Sequence, residues 1–243
     1  LEVNNVESNL VKSLNLKYEP VAVFLSNEKP EGALQGKEGQ RSCTIPLFIA
    51  AAKGKTAVFD RKTVTCPGGK VGFGFGQFPN YPGGIEYFLT VGKEGQFEGE
   101  GYMKTPELGD DFVRCLPITD IPYEYVIFKP LSQVDINEEI PELIIFYVNP
   151  DQLSALTVLA NYYRPGYENV MIPFSSGCQS LFLLPYAESK KDNPKAVVGL
   201  TDITVRPMVE PDMLSFSVPY KMFMDMEENV KGSFLEKKSW ARV

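Results

Sequence analysis

The pattern of apolar and polar positions predicts helices and strands mixed along the whole chain. Apolar residues recur at helical spacing from Val6 to Leu14, and the apolar run at residues 20–25 then has the length of a buried strand. Further strands are predicted at residues 56–60, 125–128, 143–148, 170–172, 196–199 and 213–218. Further helices are predicted at residues 45–53, 105–117, 149–162 and 220–230. The irregular order of these elements predicts an α/β or α+β fold: one compact domain over residues 1–243, with helices flanking a mixed β-sheet.

The composition excludes some classes of partner. Of the 243 residues, 44% are hydrophobic, so the chain can bury a large core without disulfides. The net charge is −7 and the 24 Lys and Arg residues are scattered, whereas a nucleic-acid surface needs a concentrated basic face. The longest apolar runs, residues 45–52 and 142–148, fall short of the roughly 20 residues that a membrane-spanning helix needs. We therefore expect no nucleic-acid partner, no membrane span and a cytoplasmic location.

The chain contains four cysteines and no histidine, which limits the chemistry open to it. Without imidazole, a soft-metal site or a nucleophilic site depends on thiolates. Helix N-termini and glycine-rich turns stabilise thiolates. Cys43 precedes the helix at residues 45–53 by one or two residues, Cys66 is followed by Pro-Gly-Gly and Cys178 follows Ser-Ser-Gly, so all three are candidate thiolates. Cys115 instead lies at the far end of its helix, three residues after Phe112, which predicts a structural residue on a buried apolar face.

If these cysteines meet in the fold, an iron–sulfur cluster suits their all-thiolate coordination, and zinc is second because it also commonly recruits histidine. A [4Fe–4S]-type cluster would be held by Cys43, Cys66 and Cys178, with Cys115 or an external ligand at the fourth iron. No CxxC spacing supports this hypothesis, and each cysteine alone also fits a small buried hydrophobe. Two disulfides are a further alternative, although reduced thiols fit a chain with so large an apolar core better.

Six motifs are distributed over almost the whole chain. They are Arg41-Ser42-Cys43, Thr65-Cys66-Pro67-Gly68-Gly69, residues 78–89, residues 148–153, Ser176-Gly177-Cys178 and residues 198–203. In these motifs the chain resembles the uncharacterised family called domain of unknown function 169 (DUF169), which occurs widely in archaea and anaerobic bacteria. The resemblance implies a single intracellular domain with cysteines matching Cys43, Cys66 and Cys178, whereas the position of Cys115 is less regular. The anaerobic setting that it implies favours an oxygen-sensitive iron–sulfur cluster over zinc.

The leading hypothesis from the sequence is therefore an iron–sulfur protein with a redox role, or with a small substrate bound at an open iron position. A metal-free alternative is a binding module in which the glycine- and aromatic-rich residues 72–88 line a pocket for a small ligand and the cysteines merely pack. A third reading is an enzyme with a cysteine nucleophile. A small molecule or a redox protein is the expected partner, and the reaction, the substrate and the oligomeric state are left open.

Overall fold

A computed structural model of the chain describes residues 8–79, 81, 83–135 and 137–242. The α-helices are α1 (Asn9–Leu14), α2 (Ile45–Ala52), α3 (Pro67–Gly72), α4 (Ile85–Phe88), α5 (Pro106–Cys115), α6 (Pro150–Tyr162), α7 (Leu184–Ser189) and α8 (Tyr220–Glu228). The strands are β1 (Val21–Ser26), β2 (Leu34–Gln35), β3 (Ala57–Asp60), β4 (Gly92–Lys93), β5 (Phe97–Glu98), β6 (Tyr125–Pro130), β7 (Leu143–Val148), β8 (Val170–Met171), β9 (Ala196–Gly199) and β10 (Leu214–Pro219). Short 3-10 helices span Leu131–Gln133, Arg206–Met208, Phe234–Glu236 and Trp240–Arg242, and a π-helical stretch spans Gln179–Leu183. Val6, where the first helix is predicted to start, lies outside the described residues.

Eight strands form one mixed sheet in the order β2-β3-β6-β1-β7-β10-β9-β8. The six inner strands pair antiparallel, whereas the edge strands β2 and β8 run parallel to β3 and β9. At the centre of the sheet, Val23 of β1 pairs with Phe128 of β6 on one side and with Leu143 of β7 on the other. The predicted α/β fold with a mixed sheet and flanking helices is thus confirmed. The extent of the domain, residues 1–243, stays a prediction.

Both faces of the sheet are covered by helices and loops. On one face, Phe146 of β7 and Phe216 of β10 belong to a core that includes α1, α6 and α8. On the other face, Phe48 of α2 makes edge-to-face contacts with Phe128 of β6 and Tyr147 of β7. Because both faces are buried, the central strands are continuous apolar runs, and this made them recognisable in the sequence.

Two helices begin where their capping residues predict. The side chain of Asn149 accepts a hydrogen bond from the Gln152 backbone N–H at 2.9 Å, and the Gln152 side chain accepts one from the Asn149 N–H at 3.1 Å. This reciprocal capping box starts α6. Thr105 caps α5 in a similar way, accepting from the Leu108 N–H at 3.4 Å.

An insertion between α3 and β6 forms a small unit, which we call the flap and define as residues 83–115. It contains α4, the β4–β5 hairpin and α5. The chain enters and leaves the insertion at one place, because Phe75 and Asp120 form an antiparallel bridge and the Gly76 N–H donates to the Thr119 carbonyl at 3.2 Å. The flap is therefore part of an insertion whose two ends lie side by side at the sheet domain.

The helices are short throughout the part of the chain that the structure describes. The longest of them, α6, has 13 residues. None combines the length and the apolar character that a membrane crossing requires. The expectation that no helix spans a membrane is met for these residues.

Candidate functional site

Cys43, Cys66 and Cys178 lie where three helical segments begin. Cys43 stands two residues before α2, Cys66 is the N-cap residue of α3, and Cys178 directly precedes the π-helical stretch. These starts are packed together: Thr44 Oγ1 lies 2.8 Å from Cys178 Sγ. A Cβ atom built on Gly69 would lie 3.6 Å from both Thr44 Cγ2 and Cys66 Cβ. The fold thus brings these three cysteines into one region, which we call the thiol cluster.

Cys178 is the buried member of the thiol cluster, with 7% of its surface exposed. Burial raises the pKa of its thiol far above the usual range, and the hydrogen bond with Thr44 only partly offsets this. Electrostatic interactions with the neighbouring Cys66, Cys43 and Asp202 raise the pKa of Cys178 further, because like charges disfavour the thiolate form. Burial therefore opposes, at Cys178, the thiolate that its turn is predicted to favour.

Cys43 is half-buried at the edge of the same region. Burial raises the pKa of its thiol, whereas the backbone N–H groups of Ile45 and Thr44 lower it. The start of α2 thus acts on this thiol as the sequence predicts, but desolvation outweighs it. Cys66 is also half-buried, and its side chain makes no capping hydrogen bond to α3.

The loop after β9 brings a carboxylate to the thiol cluster. Leu200 adopts a left-handed backbone conformation with φ of 61°, which is uncommon for a residue with a branched side chain. This turn precedes Asp202, whose carboxylate accepts hydrogen bonds from the Gly177 N–H at 3.4 Å and from the Thr204 hydroxyl at 2.8 Å. Asp202 thereby ties the loop to the turn that carries Cys178. Backbone strain of this kind often accompanies functional sites.

Arg206 holds the loop from the other side. Its guanidinium donates to the carbonyls of Leu200 at 3.1 Å, Met213 at 2.7 Å and Glu210 at 3.2 Å, and also to the carbonyl of Pro211. The guanidinium is planar and rigid and has five N–H donors, so it can donate to four carbonyl oxygens at once. The single ammonium group of lysine cannot do this in the same geometry. The position of Asp202 therefore depends on Arg206.

We expect Arg206→Met to destabilise the protein by about 2 kcal/mol, because hydrogen bonds from a charged donor are lost and their carbonyls are left to find other partners. Urea unfolding measures this change. Arg114→Met is the matched control: its exposed ion pair with Asp110 on α5 is expected to contribute less than about 1 kcal/mol. Equal losses in the two variants would contradict the role of Arg206.

The flap contacts the sheet domain beside this loop. Tyr102 and Phe112 approach Phe174 with ring-centroid distances of 6.3 and 5.1 Å. Burial, and then the negative charges of Glu100 and Asp202, raise the pKa of Tyr102 to about 12. Tyr102 therefore stays a neutral phenol, and it places the flap next to the Asp202 loop.

A cleft of about 500 Å³ separates the flap from the thiol cluster. The residues that line the cleft come from two parts of the chain. The segments that carry Cys43 and Cys66 contribute Arg41, Thr65 and Pro67. The flap and the segment leading into it contribute Pro79, Tyr81, Phe88, Gln96, Phe97 and Glu98. The aromatic rings pack on one another, with Tyr81 4.8 Å from Phe88. Among the described residues, no ion pair engages Arg41.

The hypothesis of an iron–sulfur protein is wrong. In the described ranges 8–79, 81, 83–135 and 137–242, no three or more Cys, Asp or Glu side chains are grouped so that they could hold a metal ion. At Cys178 the sulfur is buried and engaged in a hydrogen bond with Thr44. A cluster of the predicted kind needs thiolates.

The prediction for Cys115 as a structural residue on a buried face is also wrong. Cys115 ends α5 and is exposed. The apolar spacing on α5 misled the prediction, because this helix belongs to the flap and part of its apolar side faces solvent; Leu108, for example, is 51% exposed. Within the described part of the chain, no hydrogen bond links Cys115 to the thiol cluster.

Sequence reasoning missed three residues of this site. Thr44 directly precedes α2, and Asp202 stands in the motif at residues 198–203, so both had a local signal. Tyr102 had none, because its place beside Asp202 depends on how the flap folds back. Side chains that meet only through an insertion leave no spacing pattern in the sequence.

Comparison with known protein families gives a match over most of the chain. Residues 9–229 match the model of the family DUF169, described as an uncharacterised ArCR family. No curated protein and no solved structure matches the chain. The match covers nearly all of the sheet domain and the whole flap.

Proposed function

The chain belongs to the DUF169 family, and from that premise we propose that it is a binding module that takes a small aromatic anion into the cleft between the flap and the thiol cluster. The cleft of about 500 Å³ carries the proposal. It falls within the range of roughly 300–1,000 Å³ that is usual for small-molecule sites. The family match thus identifies the family of the chain, whereas the proposed function is based on the size and the lining of the cleft.

The lining of the cleft defines the ligand. Tyr81, Phe88 and Phe97 give one wall an aromatic surface, and aromatic rings favour flat apolar groups. Arg41, which also lines the cleft, supplies a planar cation, and a guanidinium binds carboxylate or sulfonate oxygens through paired N–H donors. Glu98 at the rim disfavours a ligand with a second negative charge. A flat molecule with one anionic group therefore fits best.

The position of the cleft also supports binding. Ligand sites lie preferentially where two structural units meet, and this cleft lies between the flap and the sheet domain. Pro79, Tyr81 and Phe88 fall within the glycine- and aromatic-rich segment at residues 72–88. Of the three hypotheses drawn from the sequence, the metal-free binding module therefore agrees best with the geometry of the cleft.

The test uses two fluorescent probes that differ in one group. 8-Anilinonaphthalene-1-sulfonate carries a sulfonate, and N-phenyl-1-naphthylamine has the same ring system without it. We expect Arg41→Gln to weaken binding of the sulfonate probe about five- to tenfold, equivalent to roughly 1–1.4 kcal/mol, and to leave the neutral probe unchanged. Arg114→Gln, on the exposed face of α5, is the matched control and is expected to change neither affinity.

A second pair of variants tests the aromatic wall. Tyr81→Ala is expected to weaken binding of both probes about threefold or more, because it removes ring contact that does not depend on charge. Tyr167→Ala removes a ring that is 84% exposed and outside the cleft, so it is expected to have no effect. Binding that is not saturable, or that Arg114→Gln and Tyr167→Ala weaken as much as the cleft variants do, would refute the proposal.

A further inference from the structure

Two thiols of the thiol cluster are both half-buried and lie on neighbouring segments of the chain. Cys43 and Cys66 have intermediate exposure, whereas Cys178 is buried. The segments that carry them run side by side: Thr65 Oγ1 donates to the Gln40 carbonyl at 3.0 Å. Further along, a Cβ atom on Gly69 would lie 3.6 Å from both Thr44 and Cys66. Cys43 and Cys66 lie between these two points of contact.

The third thiol, that of Cys178, is held in place by its neighbours. Cys178 shares a hydrogen bond with Thr44, and the turn that carries it is fixed by the Gly177–Asp202 hydrogen bond. Gly72 of α3 is packed so tightly against Cys178 that a Cβ on Gly72 would lie 2.5 Å from the Cys178 Cβ. Rotation of the Cys178 side chain toward another sulfur would break its hydrogen bond with Thr44. Cys43 and Cys66 are both less buried than Cys178.

We propose that Cys43 and Cys66 are an oxidisable pair, which a peroxide converts to an intramolecular disulfide. One thiol first attacks the peroxide; the O–O bond breaks, a sulfenic acid forms and one water leaves. The second thiol then attacks the sulfenic sulfur; the S–S bond forms, the S–O bond breaks and a second water leaves. In sum, two thiols lose two protons and two electrons, and the peroxide is reduced to two waters.

The pair lies at the wall of the cleft. Arg41 stands two residues before Cys43, and Thr65 and Pro67 flank Cys66. A disulfide would therefore fix the two segments that form this wall relative to one another. Disulfide formation itself does not depend on the proposed ligand, so the two proposals succeed or fail separately.

Peptide mapping of the native protein tests the inference without any variant. The reduced chain is treated with hydrogen peroxide, free thiols are blocked with N-ethylmaleimide, and the digest is analysed by mass spectrometry. We expect a linked pair of peptides containing Cys43 and Cys66, a mass lower by two hydrogens, and Cys115 and Cys178 still present as thiols. Dithiothreitol is expected to restore the original mass.

Two variants sharpen the result. In Cys115→Ser the same link is expected to form, which excludes exchange through the exposed thiol. In Cys43→Ser we expect the intramolecular link to be lost, and the oxidised product at Cys66 to be captured by dimedone as a sulfenic acid. A link between Cys66 and Cys178, or oxidation of Cys43 and Cys66 without any link, would overturn the inference.

Discussion

Gly72→Ala is expected to destabilise the protein by about 3 kcal/mol, at the upper end of the range for overpacking. The added Cβ would lie 2.5 Å from the Cys178 Cβ, 2.8 Å from the Cys178 carbonyl carbon and 2.9 Å from the Gln179 nitrogen. Two of these three atoms belong to the backbone, so no side-chain rotation relieves the clash. Either α3 or the π-helical stretch must move away. Thermal unfolding measures the change: for a chain of this size each kcal/mol lowers the Tm by about 2–4 °C.

The matched control stands in the same helix. A Cβ on Gly68 would lie 3.9 Å from Cys66 Sγ and 4.0 Å from Ser176 Oγ, which is ordinary contact. Gly68→Ala is therefore expected to be neutral or to stabilise the protein by up to about 1 kcal/mol, because alanine loses less backbone entropy on folding. We also expect iodoacetamide to reach Cys178 faster in Gly72→Ala than in Gly68→Ala. If the two variants unfold alike, Cys178 is not packed against α3 as described.

Stability is expected to fall with alkaline pH, and Cys178 is expected to cause a large part of the fall. Burial raises the pKa of this thiol in the folded chain, whereas in the unfolded chain it titrates near its usual value of about 8.5. Below that pH both states hold the proton and the stability is unaffected. Above it the unfolded chain releases the proton and the folded chain keeps it, so unfolding becomes more favourable by about 1.4 kcal/mol per pH unit.

Urea unfolding between pH 8 and 10, under reducing conditions, measures this slope. In Cys178→Ser we expect the slope to become shallower by about one proton, equivalent to roughly 1.4 kcal/mol per pH unit, whatever the absolute stability of the variant. Cys115→Ser removes an exposed thiol and is expected to leave the slope unchanged. The groups that face Cys178 are Cys66, Cys43 and Asp202, and they remain in both variants. Identical slopes in wild type and Cys178→Ser would show that the Cys178 thiol is not held protonated.

The sheet domain could be predicted from the sequence because its signals are local. The apolar run of β7 and the capping residues Asn149 and Thr105 mark their elements without reference to distant parts of the chain. The π-helical stretch at Gln179–Leu183 could not be predicted, because its apolar residues also fit a strand or an α-helix. The two-residue strands β2 and β8 are too short to leave a pattern.

The site could be predicted only in part. The turns that contain Cys43, Cys66 and Cys178 allowed these cysteines to be grouped from the sequence, and each of them does precede a helical segment. The turn context did not predict that burial would outweigh the helix N-terminus at Cys43 and Cys178, because burial depends on which distant segments, such as α3 and the Asp202 loop, pack around them. The amphipathic pattern around Cys115 was real, but the sequence does not say that this helix belongs to an insertion.

The edges of the large sheet have a consequence for how the protein behaves at high concentration. The two outer strands are each only two residues long, Leu34–Gln35 and Val170–Met171. Each therefore exposes few unpaired backbone groups to another protein molecule. Unpaired N–H and C=O groups along a long outer strand are what allow sheets of separate molecules to join and aggregate. With outer strands this short, the long apolar strands at the centre stay enclosed between partners of their own chain. The protein can thus keep a very hydrophobic sheet and still resist edge-to-edge aggregation.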